Sequence, residues 1–354
     1  MRYLLVLLIL CGFGRGWSGC NSPPAQPEDR RVDKSVLTIA TYNPEWLFLS
    51  NGQDPSLCPE AGCMYATLQD ALDHVKQVAV EIEKLNADIV NLVEVEGCEV
   101  LAALLDALGP LSRYRAYLTP GTDTFTAQNV ALLTRIDPVA PLTRTANQVA
   151  YPVRNSTCPP FPIIDGETGV SKHYHARLNI TNSPILNLYG LHFLSRPDDK
   201  ERCFKREAQA QVIADLVRQT ARRGESVVVL GDMNDFDPQL ADINGDVPIS
   251  NTMSILRRPS LLHTAGVTWA RGELYNLGLS VAVQDERFSN WYDRNEDCNA
   301  SINELSVIDH LLMDQELQKN LLSAQYVHNY LPTCATSISD HWPLLASFTT
   351  SHGP

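Results

Sequence analysis

Residues 226–238 read SVVVLGDMNDFDP, an apolar run that passes without a break into Gly, Asp, Asn and a second Asp. Val227 to Leu230 favour burial, which is worth roughly 1.5–3 kcal/mol for each large aliphatic side chain. A carboxylate carried into the same surroundings is costly unless it is paired or bound to a metal. The stretch is either an ordinary strand end turning toward water or the carboxyl edge of a sheet, where ligands sit. Taken alone, it does not separate the two.

The same ending recurs along the chain. NLVEVEG closes an apolar run with Glu94 and Glu96, which share a facing in an extended chain. IATYNPEW closes one with Asn43 and Glu45, and GLHFLS places His192 near the end of another. VIDHLL sets Asp309 in an apolar frame, while SISDHWP supplies Asp340 and His341 just before the final strand. One such ending is banal. Five of them, each with a ligand, acid or base beside a sheet, point to one convergent polar site. A hydrolytic metal site accounts for them best; structural calcium and plain surface turns are the rivals.

Around these endings the chain alternates between helices and strands. Ser35 to Tyr42 reads as a strand. Leu68, Leu72, Val75, Val78, Ala79, Ile82 and Leu85 recur at helical spacing between Thr67 and Asn86. Asp88 to Val95 is a buried strand, and a helix from Val100 to Leu108 stops at Gly109-Pro110. Strands follow at 129–134, 173–180 and 185–193, then a helix at 206–223. The strand at Ser226, one at 306–313 and one at 344–348 complete the set. Hairpin-like succession mixed with helical crossovers predicts mixed sheets faced by helices. The loop-rich stretches 137–170 and 237–304 are the candidates for shaping a substrate cleft.

The 354 residues carry a net charge of -13 and 44% apolar side chains, with nothing repetitive enough for a solenoid or fibre. The acidic balance excludes a protein that holds nucleic acid by a broad basic surface, though not an enzyme acting on phosphate esters. Arg2 precedes LLVLLILCGFG, a secretory leader over residues 1–19 with cleavage near Ser18 to Cys20. Residues 20–34 have linker composition and are expected to be flexible; 35–350 form one catalytic domain. Eight scattered cysteines beyond the leader suit disulfides between loops. Cys20 doubles as the lipid-bearing terminus of a bacterial lipoprotein if the leader is of that kind. Asn155, Asn179 and Asn299 begin glycosylation triplets. No later stretch reads as a membrane span.

The ordered set TYNPEW, DIVNLVEVE, NVALLTR, LYGLHF, VVLGDMND, VIDHLL and SDHWP resembles the endonuclease/exonuclease/phosphatase superfamily, in its deoxyribonuclease I-like branch. The resemblance runs from about Val36 to Phe348. It implies a four-layer α/β sandwich of two packed mixed sheets flanked by helices. It also implies magnesium-dependent hydrolysis of a phosphoester by activated water, with manganese or calcium as substitutes. Asn43 and Glu94 match the metal-site pair, and Asp232 and Asn234 the residues that orient water and hold phosphate. Asp309 matches the partner of the catalytic histidine, Asp340 and His341 the terminal pair, and His192 a second histidine of the nuclease branch. Asp340 is placed with the metal residues. Glu45 stands where several members have Asp, so it is not counted as a ligand.

Each assignment has a chemical reason. A hard cation takes carboxylate oxygens, which Glu94 offers. Imidazole exchanges protons near neutrality, so His341, oriented by Asp309, serves acid–base or cationic roles, with Asp232 as the rival base. His310 alternates away from Asp309 and is expected to be structural. Arg135, Arg177, Arg196 and Arg202 are candidate phosphate donors. Trp291 and Tyr292 are candidates for stacking on a base. These features predict a secreted, monomeric metal-dependent phosphodiesterase, most readily a nuclease that meets nucleic acid as a transient substrate without a stable complex. Sphingomyelinase or inositol polyphosphate phosphatase activity is the alternative, and a non-catalytic binding protein the third.

Overall fold

The computed structural model describes residues 20–49, 67–160, 162, 165–258, 273–331 and 338–350. The leader and Cys58, Cys63 and Cys334 lie outside these residues. The described chain begins with β1 (Val36–Tyr42), α1 (Leu68–Leu85), β2 (Ile89–Val95), α2 (Cys98–Leu108), β3 (Arg115–Leu118) and β4 (Asn129–Thr134). A two-stranded ribbon follows, β5 (Val149–Tyr151) and β6 (Gly166–Thr168), then β7 (Lys172–Leu178), β8 (Leu186–His192), α3 (Lys200–Arg222) and β9 (Ser226–Asp232). The last third holds β10 (Tyr275–Asn276), β11 (Asn290–Trp291), β12 (Leu305–Ser306), β13 (Asp309–Met313), β14 (Leu321–Tyr326) and β15 (Leu344–Thr349).

Two mixed sheets form the body. One has six strands in the order β14-β15-β1-β2-β4-β3, the other five in the order β10-β13-β9-β8-β7. The β1–β2 and β8–β9 pairs are parallel and the other pairs antiparallel. Side-chain alternation explains the layering. Leu37 and Ile39 of β1 meet Leu188, Val228, Leu230 and Leu311 between the sheets. Ala40 and Tyr42 face the other way and pack with Val75, Val78 and Ile82 of α1 and Leu101 and Leu104 of α2. On the far side, Val227 and Val229 pack against Ala210, Ile213 and Val217 of α3. The result is the expected four-layer α/β sandwich. The unbroken VVVL run follows from it, because β9 is covered on both faces.

Helix α1 is delimited by its own sequence. Thr67 and Asp70 form a reciprocal capping box, and Asn86 ends the helix in the left-handed conformation at φ 46°. Helix α3 starts six residues before the apolar periodicity shows, because Asp199 caps it by accepting from the amides of Glu201 and Arg202. Strands β3 and β14 escaped the sequence reading, β3 being only four residues long and β14 half exposed.

The linker-like segment 20–34 is tied to the domain. Cys20 is disulfide-bonded to Cys98, Asn21 exchanges hydrogen bonds with Leu142, and Arg30 pairs with Asp137 at 2.6 Å. Its charged residues find buried partners that composition does not reveal. With its sulfur in a disulfide, Cys20 has no thiol for a lipid, which corrects the lipoprotein alternative. Cys158 pairs with Cys203, and Cys298 is disulfide-bonded as well. Asn155, Asn179 and Asn299 are all exposed. No helix among the described residues is long and apolar enough to cross a membrane.

Candidate active site

Strand register builds half of the site. Lys172 lies opposite His192, His192 opposite Asp232, and Asp232 opposite Asp309, one continuous row across β7, β8, β9 and β13. Directly opposed residues share a face of the sheet, so the four side chains emerge together. His192 Nε2 lies 3.6 Å from Asp232 Oδ2. Gly231 sits at φ 140°, and a Cβ there would come within 1.9 Å of the Leu191 carbonyl oxygen. The backbone approach that sets Asp232 beside β8 thus requires glycine.

His341 arrives from the loop before β15. Its Nδ1 is 2.6 Å from Asp309 Oδ2, and its Nε2 is 4.0 Å from Asp232 Oδ2 and 3.7 Å from Asp340 Oδ1. Ser289 donates its hydroxyl to the same Asp309 oxygen at 2.9 Å, and the Asp309 amide donates back to Ser289 Oγ at 3.0 Å. Asp309 Oδ2 is therefore held from two sides, which fixes the imidazole orientation.

The other half comes from β1 and β2, where the backbone leaves regular geometry. Glu94 lies at φ 57° in a bulge of the β2–β4 ladder between Leu92 and Val95. Its Oε2 accepts the Trp46 amide at 3.1 Å. Asn43 donates to Asp232 Oδ2 at 3.4 Å, its own Oδ1 accepts the Glu45 amide, and Glu45 Oε2 accepts the Asp340 amide at 3.0 Å. Asn234, at φ 49°, donates its side-chain amide to the Phe193 carbonyl and its backbone amide to Asp232 Oδ1. Glu45, Trp46, Glu94 and Asn234 thus all stand at positive φ, a conformation that costs non-glycine residues and persists where the surroundings impose it.

The electrostatics are those of a buried pocket in which carboxylates outnumber the cations Lys172 and His341. Burial, then the negative charges of Asp340 and Glu94, push Glu45 well above the usual carboxylate range. Burial, then Asp309, push Asp232 up to about 8. Burial alone would lower His341, but Asp309 and Asp340 hold it well above the ordinary imidazole value. Burial and the nearby Lys172 ammonium push His192 the other way. Asp232, Asp309 and His341 offer ligand atoms within 4.8 Å of one another. The charges of Asp340 and Glu94 act on Glu45, and that of Glu94 on Asp340. Carboxylate oxygens suit a hard divalent cation, but among the described residues these three are not a group whose ligand atoms lie within 4.8 Å of one another. Cys158, Cys203 and Glu207 also converge. Their two sulfurs are joined in a disulfide, so that cluster has no thiolate to give.

All eight sequence-predicted residues, Asn43, Glu94, His192, Asp232, Asn234, Asp309, Asp340 and His341, come to this end of the sheets. Glu45 joins them, nearer the centre than its sequence departure suggests. Glu96 does not: its Oε2 accepts the Leu49 amide at 2.6 Å. His310 bonds the Asp235 carbonyl and Asn276, the structural role expected of it. Arg177 pairs with Glu225 at the far end of β7, and Arg135 binds Asn86 and the Ser112 carbonyl. Neither serves the site. Trp291 is buried with its ring nitrogen directed at Glu304, so only Tyr292 is open.

Lys172 and Ser289 were missed. The side chain of Lys172 is 11% exposed, bonds Gln128 at 3.2 Å and feels Glu94, Asp123 and Asp232. Burial lowers its pKa, against the pull of those carboxylates. Its place one strand before His192 was the available signal. Nothing in the sequence marks Ser289.

The fold is that of the endonuclease/exonuclease/phosphatase proteins. An AP endonuclease from Archaeoglobus fulgidus superposes with a TM-score of 0.54 at 14% identity, over 88% of this chain and 99% of the other. A truncated Caenorhabditis elegans TDP2 gives 0.50 at 16% identity, over 90% and 100%. An endonuclease/exonuclease/phosphatase family protein from Leptotrichia buccalis C-1013-b gives 0.50 at 13%, over 88% and 98%. At these identities the likeness speaks for fold. No protein-family model matches the sequence, and no curated protein does.

Proposed function

We propose that the protein is an exported member of the endonuclease/exonuclease/phosphatase superfamily, a divalent-metal-dependent phosphodiesterase that cleaves nucleic acid. The observation that carries this reading is the row Lys172–His192–Asp232–Asp309 with His341 hydrogen-bonded to its last member. It puts a buried lysine, a histidine whose pKa burial depresses, and two aspartates, the last supporting His341, side by side on one face of the sheet.

The proposed roles follow from charge. Glu94 and Asp340, joined by Glu45 and steadied by Asn43, hold the cation, magnesium in the first instance. When bound, it neutralises phosphate charge and lowers the pKa of attacking water. Asp232, raised by burial and by Asp309 while no cation is present, is the proposed base that takes the water proton, in the ionised form that a bound cation would favour. His341, kept protonated by Asp309 and Asp340, donates a hydrogen bond to a non-bridging phosphoryl oxygen as charge develops there. As the water oxygen bonds to phosphorus, the ester P–O bond opposite it breaks and the leaving oxygen takes a proton from solvent. Lys172 and His192 contact the same phosphate from the opposite side, and Asn234 supports Asp232. The disulfides of Cys20, Cys98, Cys158 and Cys203 support an oxidising compartment.

Purified protein assayed on plasmid, single-stranded DNA, RNA, bis-p-nitrophenyl phosphate, sphingomyelin and inositol phosphates tests this. The expected result is diester cleavage that stops with chelator and falls at least about 10²-fold in His341→Ala. Plasmid cleavage that survives both would refute the mechanism. Turnover of inositol phosphates or sphingomyelin alone would favour the alternative.

A further inference from the structure

The loop after His192 is held by one buried side chain. Arg206 is 0% exposed, on the first half of α3. Its Nη1 donates to the Arg196 carbonyl at 2.7 Å and lies 3.5 and 3.4 Å from those of Leu194 and Ser195. Its Nη2 donates to the Pro197 carbonyl at 2.6 Å, and its Nε to Asp235 Oδ2 at 3.0 Å. Asp235 is the second Asp of GDMND. A single guanidinium thus ties the loop carrying Asp232 and Asn234 to four consecutive carbonyls beyond His192. Gln209 adds a bond to the Leu194 amide at 3.1 Å.

The clamp presents one residue. Arg196 stands at φ 67°, a conformation that long side chains rarely hold unless their surroundings impose it. Its side chain is exposed and makes no hydrogen bond or ion pair among the described residues. Of the neighbouring charges, Arg202 bonds Ser195 Oγ and pairs with Asp199. Arg196 stands four positions after His192, at most about 14 Å of chain. Within that span a strand places further phosphates, about one per 3.4 Å along its axis. On a chain of net charge -13, a rigidly presented free guanidinium is a specific attraction for a polyanion.

We propose that residues 194–197 form a second phosphate-binding element, in which Arg196 grips a phosphate flanking the scissile one and Arg206 holds the loop that presents it. This rests on the nuclease reading and narrows it: the substrate is a strand with several phosphates, not an isolated phosphoester.

Equilibrium binding by the full chain, in a His341→Ala background with magnesium, tests the element. The ligands are a fluorescent single-stranded octanucleotide and a dinucleoside monophosphate. Arg196→Ala should shrink the ratio of their affinities about tenfold, as expected for a charge-assisted bond. The slope of log affinity against log salt for the octamer should fall by about 0.7, one phosphate contact on a single strand. Arg206→Lys, which keeps a charge beside Asp235 but cannot span four carbonyls, should move both readouts the same way. Arg222→Ala removes an equal charge about 24 Å along the same helix and should move neither. An unchanged ratio and slope in Arg196→Ala overturns the proposal, as does an equal loss in Arg222→Ala. If Arg206→Lys does not fold, the Arg196 readout still decides. Failure of wild-type protein to cleave any diester is a separate result, against the nuclease reading.

Discussion

The two sheets deliver their residues to the site by different physics. The second sheet places Lys172, His192, Asp232 and Asp309 by hydrogen-bond register, as opposed members of four neighbouring strands. The first places Asn43 and Glu45 just beyond β1 and Glu94 from a bulge within β2, with Glu45, Trp46 and Glu94 all at positive φ. Register is over-determined by buried residues such as Val228, Leu230 and Leu311 along the same strands. The irregular edge rests on a few cross-links, Trp46 amide to Glu94 and Asp340 amide to Glu45. The register-built half is therefore preformed for proton chemistry, while the irregular half is crowded with like charge and gains most from a cation.

The strongest way to break this contrast is through the preformed half. His341→Ala should lower kcat by about 10²–10⁴-fold at saturating substrate, the usual range for a positioned acid or base. A loss below tenfold would mean that the row beside it does not carry the reaction. Next in size is Lys172→Met, expected to cost about 10–10²-fold in kcat/KM, the scale of a charge-assisted bond to phosphate. The same substitution has a spectroscopic reading. Burial and the Lys172 ammonium both depress His192, so its ring should titrate at higher pH in the variant, measured by NMR.

Stability against pH tests how the charges of the irregular edge act on the register-built half. Burial and Asp309 push Asp232 from the ordinary 3.8 up to about 8 in the folded chain, so its stabilising contribution is full below pH 3.8 and lost as pH rises toward 8. His341 is also raised; its contribution is full below pH 6.5 and is lost through its higher folded value. His192 is depressed, and above pH 6.5 it is neutral in both states and adds nothing. Metal-free protein should therefore lose stability between pH 7 and 9, by at least about 1 kcal/mol or 2 °C in melting temperature. Magnesium should flatten that slope in part, since it neutralises Glu94, which helps to raise Asp232, and Asp340, which helps to raise His341. A metal-free protein with equal melting temperatures at pH 7 and 9 would contradict the picture of mutually repelling carboxylates.

How much of this was legible in the sequence follows the same division. The residues of β8, β9 and β13 announce themselves because a polar side chain in an apolar run is conspicuous, and register then fixes its neighbours. His192, Asp232 and Asp309 were found that way. Lys172 stands at the first position of its strand, where a lysine looks like ordinary solvation. Ser289 acts through a contact 20 residues away in sequence, and no local pattern encodes that. Arg206 sits in a helix whose charged residues mask a wholly buried guanidinium. The linker-like 20–34 segment misled for a related reason, its charges meeting partners such as Asp137 that lie far along the chain.

The sharpest small test separates two glutamates that the sequence makes look equivalent. In an extended strand Glu94 and Glu96 would face the same way, but the bulge at Glu94 breaks the alternation. Glu94 joins the anionic pocket, where its charge acts on Glu45, Asp232 and Lys172. Glu96 instead accepts the Leu49 amide, and a glutamine oxygen accepts that bond as well. Glu96→Gln should thus change activity by no more than about twofold and stability by under about 0.5 kcal/mol. Glu94→Gln removes a cation-holding charge, and it should raise the magnesium concentration for half-maximal activity by about tenfold or more. Equal responses in the two variants would show that the bulge does not divide their roles, and the distinction between the two sheet edges would fall with it.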